Sequence, residues 1–207
     1  MEGPADAPVF RPFWAHDREQ ERQALLDFLD YVTDRRRRHP RMHVYHYAPY
    51  EKTALLRLAG RYGVGEEIVD DLLREGVLVD LYPVVRNSIR VGARAYGLKK
   101  LEPLYTDVDE ARDGDVVDAG ASIVAYADYC ALRDAGHLEE ADRELASIAS
   151  YNEADCISTL RLRDWLLTHA RDHGISPTET THDEPLPTRS APRRDETPRL
   201  RRRCTGG

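Results

Sequence analysis

Val77-Leu78-Val79-Asp80-Leu81 is a compact, mostly apolar run, preceded by Gly76 and followed by Pro83. Such a run reads as a strand covered on both faces, the condition of a parallel sheet. A second strand is expected at residues 42 to 47, where Met42-His43-Val44-Tyr45-His46-Tyr47 is rich in aromatic and β-branched types. Ala48-Pro49 breaks that run, because a residue before proline avoids the right-handed helical region. A helix from about Tyr50 to Tyr62 follows, with Leu55, Leu56, Leu58 and Ala59 supplying its apolar side. Gly63 and Gly65 separate it from a short helix, Glu66 to Arg74, which Gly76 closes. Upstream, Asp17 with Gln20 three residues on forms a capping-box-like start. The helix it opens, over residues 17 to 36, places Leu25, Phe28, Leu29 and Val32 on one side. The expected class is therefore α/β and rich in helix.

Downstream, Pro83 suits the first turn of another helix, and Leu98 to Leu104 predicts a short one. Residues 107 to 120 are acidic. They resemble a calcium loop only superficially, since the closing Glu is replaced by Gly120, and a solvated loop is expected. Helices are expected at about Ala121 to Arg133, His137 to Ala149 and Tyr151 to His173. From Ser176 onward there are five Pro, seven Arg and five acids with almost nothing apolar, so a disordered tail is expected. The expected organisation is an N-terminal extension or strand remnant at 1–16, a domain at 17–174 and a tail at 175–207.

The chain has 207 residues, 41% hydrophobic and 32% charged, which is room for one domain with a core and a very polar surface. No apolar run approaches the length of a membrane span. Met1 to Asp6 lacks the basic and apolar regions of a signal peptide. Cys130, Cys156 and Cys204 show neither ligand spacing nor a disulfide framework, so zinc is not expected and a cytoplasmic location is. The net charge of −7 argues against a broadly basic nucleic-acid coat. Local basic groups remain. Arg35-Arg36-Arg37-Arg38 ends the first helix, where cations are favourable anyway. Arg86, Arg90 and Arg94 recur every four residues, with Lys99 and Lys100 nearby, and such residues can neutralise phosphates. The arginines share a face only if residues 84 to 94 stay helical, which Gly92 disfavours.

Tyr151-Asn152-Glu153-Ala154-Asp155 carries the sharpest chemistry. At the start of a helix the Tyr151 hydroxyl and the Asp155 carboxylate would project side by side. A carboxylate can hold a hard divalent ion, and a phenol beside it can orient water, as metal-assisted phosphodiester cleavage asks. Glu51 lies just past a strand end, where sites of open α/β sheets form; an acid in a first helical turn also complements the helix dipole. His43 and His46 are three apart in a strand and so point to opposite faces.

Together these segments resemble the second and third motifs of the DEDD-type 3′–5′ exonucleases, which have a ribonuclease H-like fold. In the second motif Tyr47 stands for the usual Asn, Tyr50 supplies the aromatic, and Glu51 stands for the usual Asp. Tyr151 and Asp155 match the Tyr, three residues, Asp of the third. The closer resemblance is to bacterial predicted RecB-family nucleases with a YprB-like domain. It rests on Val44-Tyr45-His46-Tyr47, Val79-Asp80-Leu81-Tyr82, Leu98-Lys99 and Tyr151-Asn152 in this order, over residues 9 to 168. The family's first motif, Asp-x-Glu, is absent. About sixteen residues precede the first helix; they hold Asp6 but no such motif, and Val9-Phe10 with Phe13-Trp14 would be a strand remnant. The chain is therefore expected to be the C-terminal part of a larger protein or a product that begins late.

The resemblance implies a metal-dependent nuclease acting on nucleic acid, DNA in preference to RNA. Glu51 and Asp155 would be ligands of Mg²⁺ or Mn²⁺, and Tyr151 would position the attacking water. Arg86, Arg90, Lys99 and Lys100 would contact nucleic acid, and His46, Tyr47, Asp80 and Asn152 are candidates to line the site. Asp80 reads equally as a strand-end acid with a structural role. A partner nuclease or helicase domain, upstream or on another chain, is implied. The alternative is a non-catalytic nucleic-acid-binding or docking module, or a piece without function by itself.

Overall fold

A computed structural model of the chain describes residues 8–92, 95–106 and 119–176. Helix α1 (Arg18–Arg38) starts at Asp17, whose Oδ1 accepts from Gln20 N at 2.8 Å. Gln20 returns the bond one residue further out than in a standard capping box, its Oε1 accepting from His16 N at 3.0 Å. Then come β1 (Val44–His46), α2 (Tyr50–Tyr62) and α3 (Glu66–Arg74), followed by β2 (Leu78–Asp80) and α4 (Leu81–Ser88). After them stand α5 (Leu98–Leu101), a 3₁₀ turn (Glu102–Leu104), α6 (Ala119–Asp134) and α7 (Leu138–Asp172).

The two strands pair in parallel, with Val44 opposite Leu78, Tyr45 opposite Val79 and His46 opposite Asp80. The parallel arrangement expected from the Val77–Leu81 run is present, although both strands are shorter than the sequence suggests and β2 is half-buried. Helices dominate the described residues, around this two-stranded sheet. Within residues 8–16 the strand remnant is reduced to a single β-bridge at Val9; Phe13 packs edge-on against Phe28 of α1 at 5.8 Å, and His16 bonds Tyr126 of α6 at 3.1 Å.

Two apolar clusters hold the elements. In the first, Leu25, Leu29 and Val32 of α1 meet Ala59 of α2, Val69 and Leu72 of α3, and Val77. In the second, Leu81 and Val85 of α4, Leu101 of α5 and Leu162 of α7 are buried together, with Tyr45, Tyr47, Tyr105 and Trp165 packed around them. The α2–α3 junction requires glycine at Gly65. Its φ is +70°, and a Cβ there would stand 2.3 Å from Leu29 Cδ1, a side chain with no exposed surface.

One expectation needs correction. The break before Tyr151 does not exist. Residues 138 to 172 form one helix of 35 residues, so Tyr151 lies in its middle and not at its start. Nothing between Ala149 and Tyr151 can end a helix, since Ser150 is neither Gly nor Pro. Buried Ala141, Ile148, Ser158 and Leu162 instead carry one seam straight through. The condition for an arginine face over residues 84 to 94, which Gly92 disfavoured, is not met. Helix α4 ends at Ser88, so Arg90 lies beyond it, exposed; Arg94 is outside the described residues. Cys130 and Cys156 lie in α6 and α7 and are half-buried free thiols. The acidic stretch before residue 119 and the tail from 177 also lie outside the described residues.

Candidate functional site

The parallel register brings the two strand ends together, and with them His46 and Asp80. Just past His46 the chain turns sharply. Ala48 has φ +67°, a left-handed conformation that costs a residue with a Cβ about 1 kcal/mol. Asp80 holds it there: its Oδ1 accepts from Ala48 N at 2.9 Å and from Tyr82 N at 2.9 Å. Asp80 thus caps α4 and ties β1 to β2, the structural role the sequence left open beside a ligand role.

The turn delivers Glu51 in the first turn of α2. Its carboxylate lies 3.4 Å from His46 Nδ1. That nitrogen is also 2.9 Å from the Ala48 carbonyl, which can only accept, so the ring carries its proton on Nδ1. His46 is 6% exposed while the Glu51 side chain keeps 49% of its surface. Loss of hydration on the walled side is still the largest influence on Glu51 and raises its pKa above the ordinary 4.5. The Asp80 charge adds to the rise, and a backbone hydrogen bond and His46 oppose it.

Helix α7 supplies the third wall. Tyr151 and Asp155 are one turn apart and half-buried, and Asn152 is exposed. Burial is the largest influence on the Cys156 thiol and raises its pKa, and the charges of Asp155, Glu51 and Glu153 add to the rise. Leu162 of α7 is buried with Tyr45 and Tyr47 packed around it, and Arg163 covers the Tyr45 ring at 5.5 Å, which seats α7 against β1. Lys99 Nζ stands 4.6 Å from the centroid of the Tyr151 ring, in cation–π contact. The segment carrying Lys99 is anchored by Leu101, which has no exposed surface, and by Tyr105, whose hydroxyl meets Ser158 Oγ at 3.0 Å. Tyr47 donates to the Tyr96 carbonyl, and burial pushes its phenol up to about 12. Tyr47 therefore lines the wall as a neutral phenol.

Of the basic candidates, Lys99 reaches the site's edge and Lys100 is exposed on the same short helix. Arg86 bonds the Tyr82 hydroxyl at 3.2 Å. In the run at 35–38, Arg36 pairs with Glu75 and Arg37 with Asp34, which is a structural use. The sequence reading missed Tyr105, Ser158 and Cys156. Ser158 and Leu162 continue the three-and-four spacing of Tyr151 and Asp155, which was the signal available for the wall.

A divalent ion needs a ready set of oxygen ligands. Among the described residues no group of three or more His, Cys, Asp or Glu side chains is placed to hold a metal ion. Asp80 Oδ1 already serves two amides and His46 Nδ1 serves a carbonyl. The described side chains do not fit a preformed two-ion centre.

A family model of the RNase_H superfamily matches residues 5–167, and the chain belongs to that superfamily. Membership points to a nuclease-like domain that acts on nucleic acid. No curated protein and no solved structure matches the chain. Among the described residues no helix is long and apolar enough to cross a membrane.

Proposed function

We propose that this chain acts on nucleic acid as a nuclease-type domain, of the 3′–5′ exonuclease kind its resemblance to the RecB-family, YprB-like nucleases implies. Residues 17–174 would be the acting domain, and Glu51, Asp155 and Tyr151 the reacting set. The observation that carries this reading is the seating of α7, which bears Tyr151 and Asp155, against β1, whose end leads to Glu51: Leu162 is buried with Tyr45 and Tyr47 around it, and Arg163 covers the Tyr45 ring at 5.5 Å. Mg²⁺ or Mn²⁺, which commonly binds through one or two carboxylates with phosphate oxygens and water completing its shell, is the cofactor the reading calls for. On the protein side, Glu51 with the His46 N–H beside it can hold a proton. Lys99 supplies positive charge beside Tyr151, and Lys100, Arg86 and Arg90 would meet the backbone of the strand, DNA in preference to RNA.

One observation favours a second reading, a non-catalytic binding module working beside a nuclease or helicase domain. It is the lack of a three-ligand group among the described residues. End-labelled single-stranded DNA incubated with Mn²⁺, with the chain and its Asp155→Ala form in parallel, separates the two. Cleavage by the parent that is lost in the variant supports the nuclease. Strand binding without cleavage, unchanged by EDTA and by Asp155→Ala, sinks the nuclease reading and supports the module.

A further inference from the structure

The far end of α7 carries a histidine pair that the reacting set does not use. His169 lies in its last turn and His173 ends it, four residues on, so the two rings share one face. Their centroids are 4.3 Å apart with planes tilted by 44°, and both side chains are exposed. Ring nitrogens sit at ring edges, so contact between faces does not occupy them. His173 Nδ1 lies 2.9 Å from the His169 carbonyl, which can only accept. The proton is therefore on Nδ1, and Nε2 keeps the lone pair. A backbone carbonyl on one ring nitrogen is how the tautomer of a metal-bound histidine is fixed. Trp165 stacks on His169 at 5.3 Å and 15°, which restricts that ring from its face and not its edge.

The charges nearby suit a bound cation better than two imidazolium rings. Like charges four apart on a helix repel. The helix C-terminus favours positive charge, and exposed Asp172 is three residues from His169. Arg171 is turned to Thr168 Oγ1 at 3.0 Å and to the Leu167 carbonyl at 3.3 Å. Two imidazoles on one ion, each bound at about 2.1 Å, set ring centres roughly 4.5–5 Å apart, close to the spacing here.

We propose that His169 and His173 chelate one transition-metal ion of the imidazole-preferring class, Cu²⁺, Ni²⁺ or Zn²⁺. Such ions suit imidazole, whereas Mg²⁺ and Mn²⁺ suit oxygen ligands. The cysteine spacing that spoke against zinc has no bearing on a site made of imidazole. The pair is fourteen residues beyond Asp155, about 21 Å along the helix, so it is separate from the carboxylates of the reacting set. With two protein ligands, the ion keeps positions for water or for a ligand from another molecule.

Trp14→Phe leaves Trp165, beside His169, as the one tryptophan. In that background, at about pH 7.5 where imidazole is neutral, Cu²⁺ should quench Trp165 and the quench should saturate at one ion per chain. Excess Zn²⁺ should displace Cu²⁺ and restore the fluorescence; Mg²⁺ should not. His169→Ala and His173→Ala should each weaken Cu²⁺ binding about tenfold or more, since losing even an outer-shell partner costs that much. His43→Ala, at another exposed histidine, should change nothing. All these positions are exposed, so the variants should keep the parent's circular dichroism. No quench, a quench that survives both substitutions in α7, or one that never saturates at one ion per chain means adventitious binding only and overturns the chelate. Displacement by Mg²⁺ overturns it as well. None of these outcomes bears on the proposed function, which uses other residues.

Discussion

At the scale of single residues, the candidate site is built on a strained turn and a partly dehydrated acid. Ala48 sits at φ +67° because Asp80 grips its amide. Ala48→Gly should therefore leave the melting temperature unchanged or raise it, against the usual loss of about 0.5–1 kcal/mol for glycine. Asp80→Ala removes the acceptor from two amides and should cost about 1–3 kcal/mol by urea unfolding, with or without any effect on activity. Glu51 has a raised pKa, so the folded state binds its proton more tightly than the unfolded state does. The stability this adds is fully present below about pH 4.5 and is lost as pH rises through the folded value. Glu51→Gln should consequently melt about 1–2 °C higher than the parent at pH 7, a small gain because the side chain is half exposed. The gain should close toward pH 4 in a melting series.

At the scale of elements, α7 is the piece that makes the site. One continuous helix carries Tyr151 and Asp155 past the strand ends, and Leu162, with no exposed surface, locks it to α4 and α5. Leu162→Ala should cost about 2–5 kcal/mol and weaken strand binding as the wall shifts. The Gly65 turn is a second joint. Gly65→Ala combines a positive φ with a Cβ set against Leu29, and should destabilise by about 2–4 kcal/mol, read as a lower midpoint in urea. Much of the element layout was legible because its signals are local. Asp17 and Gln20 marked the start of α1, Gly63 and Gly76 marked helix ends, and the Val77–Leu81 run marked a parallel strand. The continuity of α7 was not legible from the Tyr151 motif alone, since a helix start and a helix middle look alike when neither Gly nor Pro is near. The extent of α4 was open, because Gly92 argued against the helix that the arginine spacing required. The packing of Leu81 and Val85 sustains the helix only to Ser88, so the four-residue arginine spacing has no helix to share.

At the scale of the whole molecule, the site depends on contacts far apart in the chain. His46 meets Asp80 through the strand register, Tyr47 meets Tyr96, and Tyr105 meets Ser158. No residue pattern encodes such meetings, so the sequence named Glu51 and Asp155 separately but not the wall of tyrosines between the strands and α7. The same contacts divide the acids by role, with Asp80 in the scaffold and Glu51 exposed at its edge. A family that acts on nucleic acid and a chain of net charge −7 are reconciled if the strand is held locally, at Lys99 and along α7, and not by a general field. The most direct measurement is a photo-crosslink from a single strand with 4-thiothymidine at its 3′ end, made in EDTA so that cleavage plays no part. The predicted result is crosslinked peptides from residues 96–106 and 147–160, beside Lys99, Tyr151 and Asp155. Crosslinks confined to α1 or α6, or equal labelling over the whole surface, would contradict the placement of the site and with it the proposed function.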